Sequence, residues 1–349
     1  MKQIKSCEKG ALAVVSTPLQ FLNANELIER MDFTHGQIIV AARPEQVEIY
    51  SKLPRTAKDI DIRVYAVPRR PRVGAFGVVE ALRRLIEAKN LIANAINKTS
   101  IQPRSLILGN LKDELHRAIA NYFPAAVLYV VDDGAASLRR ITQSQGLSER
   151  AAFAAGRALG VLNPEVGLQK LAEKARYFSA YDKRLNLDRG IINDYRWLSS
   201  HVDSIRQTQE TWIIGQPLVE TRVMSAVDYR NSILSTLASE GLERLVKYIM
   251  HPGEDYAAHH ANLESSGIDV KESTLPIEAL VLTSKSCPRA AITFYSSAFT
   301  TCSKIIGGAM PFVLIDARSK MKTERASELA EIYSSFLDLC VPPHKIYSV

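Results

Sequence analysis

Short apolar runs alternate with helical segments along the first half of this chain, and no other feature constrains its fold as strongly. The runs consist mostly of Val, Ile, Leu and Ala, and such continuous apolar stretches indicate strands buried on both faces of a sheet. The alternation of these strands with helices predicts parallel βαβ units. The predicted strands are Ala11–Val15, Gln37–Ala42, Ile62–Val67, Leu106–Leu108 and Val127–Val131, and the predicted helices are Leu19–Met31, Pro44–Leu53, Val78–Asn97 and Asp113–Tyr122.

A second α/β series follows a polar, helical stretch that runs from Ser148 to about Ser199. At 349 residues the chain is too long for one ordinary core. We therefore predict an α/β fold with two domains and a cleft between them: residues 1–200 with a helical connector, and residues 201–349 with a closing C-terminal helix. The connector helices are Ala151–Leu159 and Leu168–Tyr177; the later strands are Thr211–Gly215, Lys247–Met250, Leu280–Thr283, Ala291–Phe294 and Phe312–Ile315; the later helices are Glu220–Glu240 and Thr323–Leu339.

Composition and cysteine spacing limit the cellular compartments and the kinds of metal or redox site to be expected for this chain. The four cysteines have no C-x-x-C spacing, which disfavours zinc ligation and a redox pair. Unpaired thiols fit a reducing cytoplasm, although four cysteines are also enough for two disulfides. The first apolar run is too short for a signal-peptide core, and no stretch has the length of a membrane span. We expect a cytoplasmic protein, with peripheral contact to the anionic inner membrane left open.

The net charge of +7 fits a phosphorylated donor, an acidic glycan or an anionic membrane surface, and it equally fits a merely basic soluble protein. Part of it is concentrated in the basic stretch Arg69–Arg72, where interleaved prolines predict a loop. This loop is either a solvated surface or a docking site for an anionic acceptor or lipid headgroups. It lacks the interleaved aromatic residues of a single-strand platform, so no nucleic-acid partner is expected.

The first candidate motif is Asp132-Asp133-Gly134, which directly follows a predicted strand. Adjacent residues of an extended strand point to opposite sides, so one carboxylate is expected to face the cleft and the other to brace the turn. Gly134 allows a tight turn and close approach of a ligand. A turn with Asp as a helix N-cap explains the motif equally well. A carboxylate that faces the cleft can instead take a proton from an attacking hydroxyl.

The second motif, His251-Pro252, also follows an apolar run, which places the histidine at a strand end. His259, His260, Glu254 and Asp255 are near in sequence, but neither their spacing nor a cysteine supports a metal site. We therefore expect no metal and no other cofactor.

The third motif, Ser296-Ser297, lies at a predicted strand-to-helix junction. Hydroxyls in this position cap the helix, and the same geometry provides an anion site. A similar junction follows the first strand, where Pro18 suits the first helical turn and Ser16 or Thr17 the cap. The sequence lacks a Walker A loop, a G-x-G-x-x-G turn after the first strand and a G-x-S-x-G elbow, which disfavours nucleoside triphosphatases and serine hydrolases.

Taken together, these motifs resemble those of bacterial sialyltransferases. Their order, together with Glu278 between the histidine and the serines, is similar to the D/E-D/E-G, His-Pro and Ser-Ser/Thr motifs of that group. The resemblance to the lipooligosaccharide sialyltransferases and polysialyltransferases extends from about residue 12 to about residue 304. Its further landmarks are Thr17-Pro18-Leu19-Gln20, Leu108-Gly109-Asn110 and Ile214-Gly215-Gln216-Pro217-Leu218.

The resemblance implies a GT-B fold of two Rossmann-like domains. It also implies an inverting, metal-independent transfer of sialic acid from CMP-sialic acid to a bacterial surface glycan, such as capsule or lipooligosaccharide. The acceptor would be a glycan or glycolipid. By resemblance, Asp132 is the base, His251 the acid or donor to the departing phosphate, and Glu278 the ribose contact. Ser296 and Ser297 would bind phosphate, and Gly215, Gln216 and Pro252 would line the donor pocket. Asp133, Gly134, Thr17, Gln20 and Asn110 would support the acceptor site or have a structural role in it.

Other functions remain open from the sequence. The motifs mainly recognise CMP, so another CMP-nonulosonate or Kdo could be the donor. A catalytically inert GT-B-like module that binds nucleotide sugar is an alternative from another class. An epimerase of the same shape fits less well, because its chemistry would not need this Asp, His and Ser set.

Overall fold

The computed structural model of the chain divides into two compact units. Apart from two short segments, the first unit ends at Asn193 and the second runs from Asp194 to Val349. The structure describes residues 10–67, 103–111, 113–134, 168–181, 190–202, 205–251, 253–255, 263–273, 275–322 and 342–349, and single residues at 86, 90, 330, 333, 334, 336 and 340.

The described strands of the first unit form a parallel sheet with the order β3-β2-β1-β4-β5-β6-β7. This order is that of a Rossmann fold, in which the chain builds outward from β1 in one direction and then in the other. The central strands β1 and β4 are buried throughout. The strands are β1 Gly10–Val15, β2 His35–Ala42, β3 Asp59–Ala66, β4 Ser105–Leu108, β5 Val127–Val131, β6 Arg176–Ser179 and β7 Gly190–Ile192.

Helices between these strands cover the sheet. The first begins as its sequence predicts: Thr17 is the N-cap, its side chain accepts the N–H of Gln20, and Pro18 occupies the first turn. The predicted helix at residues 44–53 is instead a 3₁₀ turn, Pro44–Gln46, followed by one short helix. The helices are α1 Pro18–Arg30, α2 Ile49–Lys52, α3 Glu114–Tyr122 and α4 Leu168–Lys174.

The second unit repeats the same plan. Its main described sheet is parallel, with the order β11-β10-β9-β13-β14-β15, and a separate pair joins β8 to β12. Its strands are β8 Arg206–Gln207, β9 Thr211–Ile214, β10 Val246–Ile249, β11 Asp269–Lys271, β12 Ser286–Cys287, β13 Ala290–Thr293, β14 Phe312–Asp316 and β15 Lys345–Ser348. Its helices are α5 Arg196–Ser199, α6 Ala226–Glu240, α7 Ile277–Ser284 and α8 Ser297–Ile306, with 3₁₀ turns at Gly307–Ala309 and Arg318–Lys320.

The α/β prediction is confirmed, but several predicted elements are wrong. The predicted strand Leu280–Thr283 belongs to helix α7, because a short buried apolar run has the same pattern in a helix and in a strand. Strand β3 is not buried on both faces, since among the described strands it lies at the sheet edge and pairs only with β2. The predicted helix Leu168–Tyr177 ends at Lys174, and β6 follows.

Strands β6, β7, β8, β11, β12 and β15 were not predicted. The first two extend the sheet of the first unit through the segment interpreted as a helical connector. Strand β15 follows the segment of the predicted C-terminal helix, in which the described residues 330, 333, 334 and 336 are helical. Most of Val78–Asn97 and Thr323–Leu339, and all of Arg69–Arg72 and Ala151–Leu159, lie outside the described residues. Among the helices formed by described residues, none is long and apolar enough to cross a membrane.

The described cysteines Cys287, Cys302 and Cys340 are free thiols. Burial raises the pKa of the Cys302 thiol well above its ordinary value, so it remains protonated. A buried, protonated thiol is chemically inert, and Cys302 therefore acts as a packing residue.

Candidate functional site

In the first unit, the predicted site residues meet at the switch point of the sheet. Strand order reverses between β1 and β4, and ligands of open α/β sheets bind beyond the carboxyl ends of strands at such a point. Thr17 and Gln20 follow β1, Asn110 follows β4, and Asp133 follows β5. The tertiary structure thus brings four residues from three separate loops to one edge of the sheet.

The carboxylate of Asp133 is the centre of this group. Thr17 Oγ1 donates to Asp133 Oδ1 at 3.4 Å, and Asn110 Nδ2 donates to Oδ2 at 3.2 Å. All three side chains are half-buried. These two hydrogen bonds orient the carboxylate, and a carboxylate can accept a proton from a bound hydroxyl.

Asp132 has a different environment. It is 1% exposed, its Oδ2 accepts the N–H of Ala180 at 2.7 Å, and its carbonyl oxygen accepts Asn23 Nδ2 at 3.0 Å. These bonds tie the end of β5 to α1 and to the residue after β6. Gly134 has φ of 75°, the left-handed conformation that glycine adopts without strain, as the predicted tight turn requires. Of the two adjacent carboxylates, Asp132 is the buried brace and Asp133 is the accessible one.

A layer beneath Asp133 was not predicted. His116 is fully buried; its Nε2 lies 3.2 Å from Ser16 Oγ, and its Nδ1 lies 2.9 Å from the backbone N and O of Asn110. Gln20 Oε1 accepts the N–H of Ser16 at 2.8 Å, and a Cβ at Gly109 would lie 1.9 Å from that oxygen. These contacts hold the loops after β1 and β4. Since His116 lies in an amphipathic helix, nothing in the sequence marked it.

In the second unit, the predicted donor residues also lie around a switch point, which here falls between β9 and β13. Gly215 and Gln216 follow β9, His251 follows β10, and Ser296 follows β13. Gln216 Oε1 accepts the N–H of Tyr295 at 2.8 Å, which joins the ends of the two strands that flank the switch point. The same end of this sheet therefore carries all four residues.

His251 is exposed, and its backbone surroundings define its tautomer. The N–H of Gly253 donates to His251 Nδ1 at 3.0 Å, so Nδ1 has no proton and the neutral ring carries its proton on Nε2. The N–H of His251 donates to Glu254 Oε2 at 2.7 Å. Tyr248 Oη also donates to Glu254 Oε1, so both oxygens of this side chain already have hydrogen-bond donors within the protein. His259, His260 and Pro252 lie outside the described residues.

The two serines lie at the start of α8. Ser296 is the N-cap, and its Oγ accepts the N–H of Ala298 at 3.2 Å, while Ser297 is the first helical residue. The predicted capping role is confirmed. Both side chains are half-buried, and the N-terminus of a ten-residue helix offers backbone N–H groups and a positive dipole end. Anion binding at this position stays a prediction.

Glu278 lies in the first turn of α7 and is 3% exposed. Among the described residues, its Oε1 has no hydrogen-bond partner. Burial raises the pKa of this carboxyl above its ordinary value. Within the described part of the chain, no three His, Cys, Asp or Glu side chains gather as a metal site.

No protein-family model and no curated protein matches this sequence. An α/β-galactoside α-2,3-sialyltransferase from the luminous marine bacterium Photobacterium phosphoreum matches the structure with a TM-score of 0.51 and 12% sequence identity, over 98% of this chain and 99% of that one. This likeness concerns the fold, and it confirms the predicted GT-B fold.

Two further solved structures match less well. A UDP-GlcNAc 2-epimerase from Methanocaldococcus jannaschii, in complex with UDP-GlcNAc and UDP, has a TM-score of 0.48 and 11% identity over 97% of this chain and 89% of that one. UGT89C1 from Arabidopsis thaliana, complexed with UDP-L-rhamnose, has a TM-score of 0.47 and 9% identity over 98% and 86%.

Proposed function

We propose that this chain is an inverting, metal-independent glycosyltransferase that moves sialic acid from CMP-sialic acid to a bacterial surface glycan. One observation carries the proposal: in each unit, most of the candidate residues lie at the carboxyl ends of the strands that flank the switch point or of the strand next to them. Ligands of this type of sheet bind there. The fold shared with a sialyltransferase also supports the proposal. This support is an analogy, since a fold alone does not specify a function.

Asp133 is the base in this proposal. Although the sequence resemblance matches Asp132 to that role, Asp132 is 1% exposed and its carboxylate holds the Ala180 N–H. The Asp133 carboxylate accepts the proton of the acceptor hydroxyl as that oxygen attacks the anomeric carbon. The bond from the anomeric carbon to the CMP phosphate oxygen breaks on the opposite face, and this direction of attack inverts the configuration.

The second unit stabilises the departing CMP. His251 offers Nε2–H, Ser296 and Ser297 offer hydroxyls, and the α8 N-terminus offers backbone N–H groups to the phosphate. Donors that are already in place where charge develops lower the barrier most effectively. Together they supply the stabilisation that a divalent metal would otherwise give, and the reaction is therefore proposed to need none.

The nucleoside contacts are assigned with the same logic. Glu278 is proposed to contact the ribose hydroxyls, because its buried Oε1 has no partner among the described residues and a ligand hydroxyl would provide one. Gly215 and Gln216 line the donor pocket in this proposal, and Pro252 is retained from the resemblance alone. A glycan or glycolipid acceptor and peripheral contact with the inner membrane are also proposals.

The test combines calorimetry with a transfer assay. The wild-type chain should bind CMP and transfer sialic acid in excess EDTA. Asp133→Asn should lower transfer by about 10²- to 10⁴-fold, the usual contribution of a general base, and should keep CMP binding. His251→Ala should weaken both. Full transfer activity in Asp133→Asn would contradict the base assignment, and a strict metal requirement would contradict the mechanism.

Two alternatives give different results in the same assay. A panel of CMP-sugars, including CMP-Kdo and other CMP-nonulosonates, separates sialic acid from related donors. CMP binding without turnover on any donor and acceptor would indicate a nucleotide-sugar-binding module instead of an enzyme.

A further inference from the structure

A relay of hydrogen bonds joins the two donor-side loops through buried side chains that no motif includes. It runs from the N–H of Gln216 to Tyr229 Oη at 3.2 Å, and from Tyr229 Oη to Tyr248 Oη at 2.8 Å. From Tyr248 it continues to Glu254 Oε1 at 2.5 Å. The other carboxylate oxygen, Oε2, accepts the N–H of His251. Glu254 thus ends the relay and links the loop after β9 to the loop after β10.

The protons of the relay can be assigned. Burial raises the pKa of Tyr229 and of Tyr248 well above the ordinary value, so both hydroxyls keep their protons. Tyr248 donates its single proton to Glu254, and Tyr229 donates either to Tyr248 or directly to Glu254 Oε1, which lies 3.4 Å from its hydroxyl. Each donor in the series points towards Glu254. Both oxygens of the Glu254 side chain therefore act as acceptors.

The space around the carboxylate is also limited. Glu254 is 8% exposed, and a Cβ at Gly215 would lie 2.2 Å from Glu254 Oε2 and 2.8 Å from Tyr248 Oη. Only glycine at position 215 leaves room for this placement. Glycine is thus required at that position because the carboxylate lies directly above its backbone.

We propose that Glu254 is a positioning residue. By accepting the backbone N–H of His251, it keeps His251 Nδ1 hydrogen-bonded to the Gly253 N–H, and the ring then presents its Nε2–H to the departing phosphate. The consequence for catalysis rests on the proposed function, whereas the consequence for the ring does not. If the carboxylate is lost or displaced, the loop shifts, Nδ1 loses the Gly253 donor and the ring is no longer held as one tautomer.

The first experiment reads the tautomer directly. Long-range ¹H–¹⁵N spectra of the seven histidines are recorded at about pH 8, where an ordinary imidazole is neutral, and His251→Ala identifies the His251 signals. Wild type should show an unprotonated Nδ1 and a protonated Nε2. Glu254→Gln changes the acceptor of the His251 N–H, and Gly215→Ala displaces that acceptor, so both variants should give a mixture of tautomers.

The matched control is Glu220→Gln. The exposed Glu220 accepts the N–H of Asp255 at 2.8 Å in the same loop, and glutamine keeps that acceptor. This variant should leave the His251 signals unchanged. If Glu254→Gln does not fold, as judged by circular dichroism, Tyr248→Phe removes one donor to the same carboxylate and takes its place. An unchanged tautomer in the folded variants would overturn the proposal.

Kinetics provide the second readout. Glu254→Gln should lower kcat by about 10- to 100-fold, as expected for a misplaced catalytic group. In the His251→Ala background it should have little further effect, because Glu254 acts through His251. If the Glu254→Gln and His251→Ala losses in kcat multiply in the double variant, the positioning role is overturned. If wild type transfers no sugar, the proposed function fails, and the ring-nitrogen spectra still decide the inference.

Discussion

Asp133 accepts a hydrogen bond at 3.4 Å from Thr17, a residue 116 positions earlier in the chain. The same Thr17 hydroxyl accepts the N–H of Gln20 as the N-cap of α1. One hydroxyl therefore begins a helix and orients the candidate base. This double use connects the start of the first βαβ unit to the chemistry proposed at the end of β5.

The two adjacent aspartates should separate stability from activity. Asp132→Ala removes the acceptor of the buried Ala180 N–H and should lower the free energy of unfolding by about 1–3 kcal/mol. Asp133→Asn should lower that free energy by less than Asp132→Ala does, because the side chain is only half-buried and keeps its shape and one acceptor oxygen. Urea denaturation measures both. Equal destabilisation by the two variants would contradict the division of roles.

Gly109→Ala should destabilise the first unit. Its Cβ would lie 1.9 Å from Gln20 Oε1 and would displace the side chain that accepts the Ser16 N–H. We expect a loss of about 1–3 kcal/mol in the free energy of unfolding, typical of overpacking. The control is Gly308→Ala, whose Cβ would meet Pro343 at an ordinary 3.4 Å. If both variants unfold at the same urea concentration, the proposed clash does not matter.

Thr17→Val keeps the branched shape and removes the hydroxyl. It should cost about 1 kcal/mol of stability through the lost N-cap, and it should reduce transfer because Asp133 loses one of its donors. Thr17→Ser keeps a hydroxyl and should retain both properties. Thermal or urea unfolding and the transfer assay provide the two readouts. A Thr17→Ser variant as inactive as Thr17→Val would show that the hydroxyl alone does not explain the role of Thr17.

Glu278 should make stability depend on pH. Burial raises the pKa of its carboxyl in the folded state, so folding is favoured while the group is protonated. This contribution is complete below the unfolded-state pKa of about 4.3 and is lost as pH rises through the folded-state pKa. Glu278→Gln cannot ionise and should therefore gain stability relative to wild type as pH increases. Urea denaturation from about pH 4 to pH 8 measures the difference, and a constant difference would contradict the prediction.

Local patterns predicted most of the regular elements. Strand β5 has its predicted bounds, Val127–Val131, and the start of α1 follows from Thr17 and Pro18. These elements depend on residues within a few positions of one another. The segment at Leu280–Thr283 failed because its apolar run lacks a period that separates a strand from a buried helix.

The sequence predicted which residues belong to the candidate site, but not how they contact one another. Ser296 and Ser297 are at a strand-to-helix junction as predicted, because capping is a local property. The Glu254 relay had no sequence signal, since its tyrosines come from α6 and β10 and meet only when these elements pack.

By itself, the sequence determined that this chain forms two α/β series and that acidic, imidazole and hydroxyl groups follow their strands. Both properties follow from short-range periodicity and from the residues that end each apolar run. Only the tertiary structure decided the strand order, and with it the switch points where these groups meet. It also decided that Asp133, rather than Asp132, is accessible. These results depend on which distant strands pair and on what covers each face, and no local pattern contains that information.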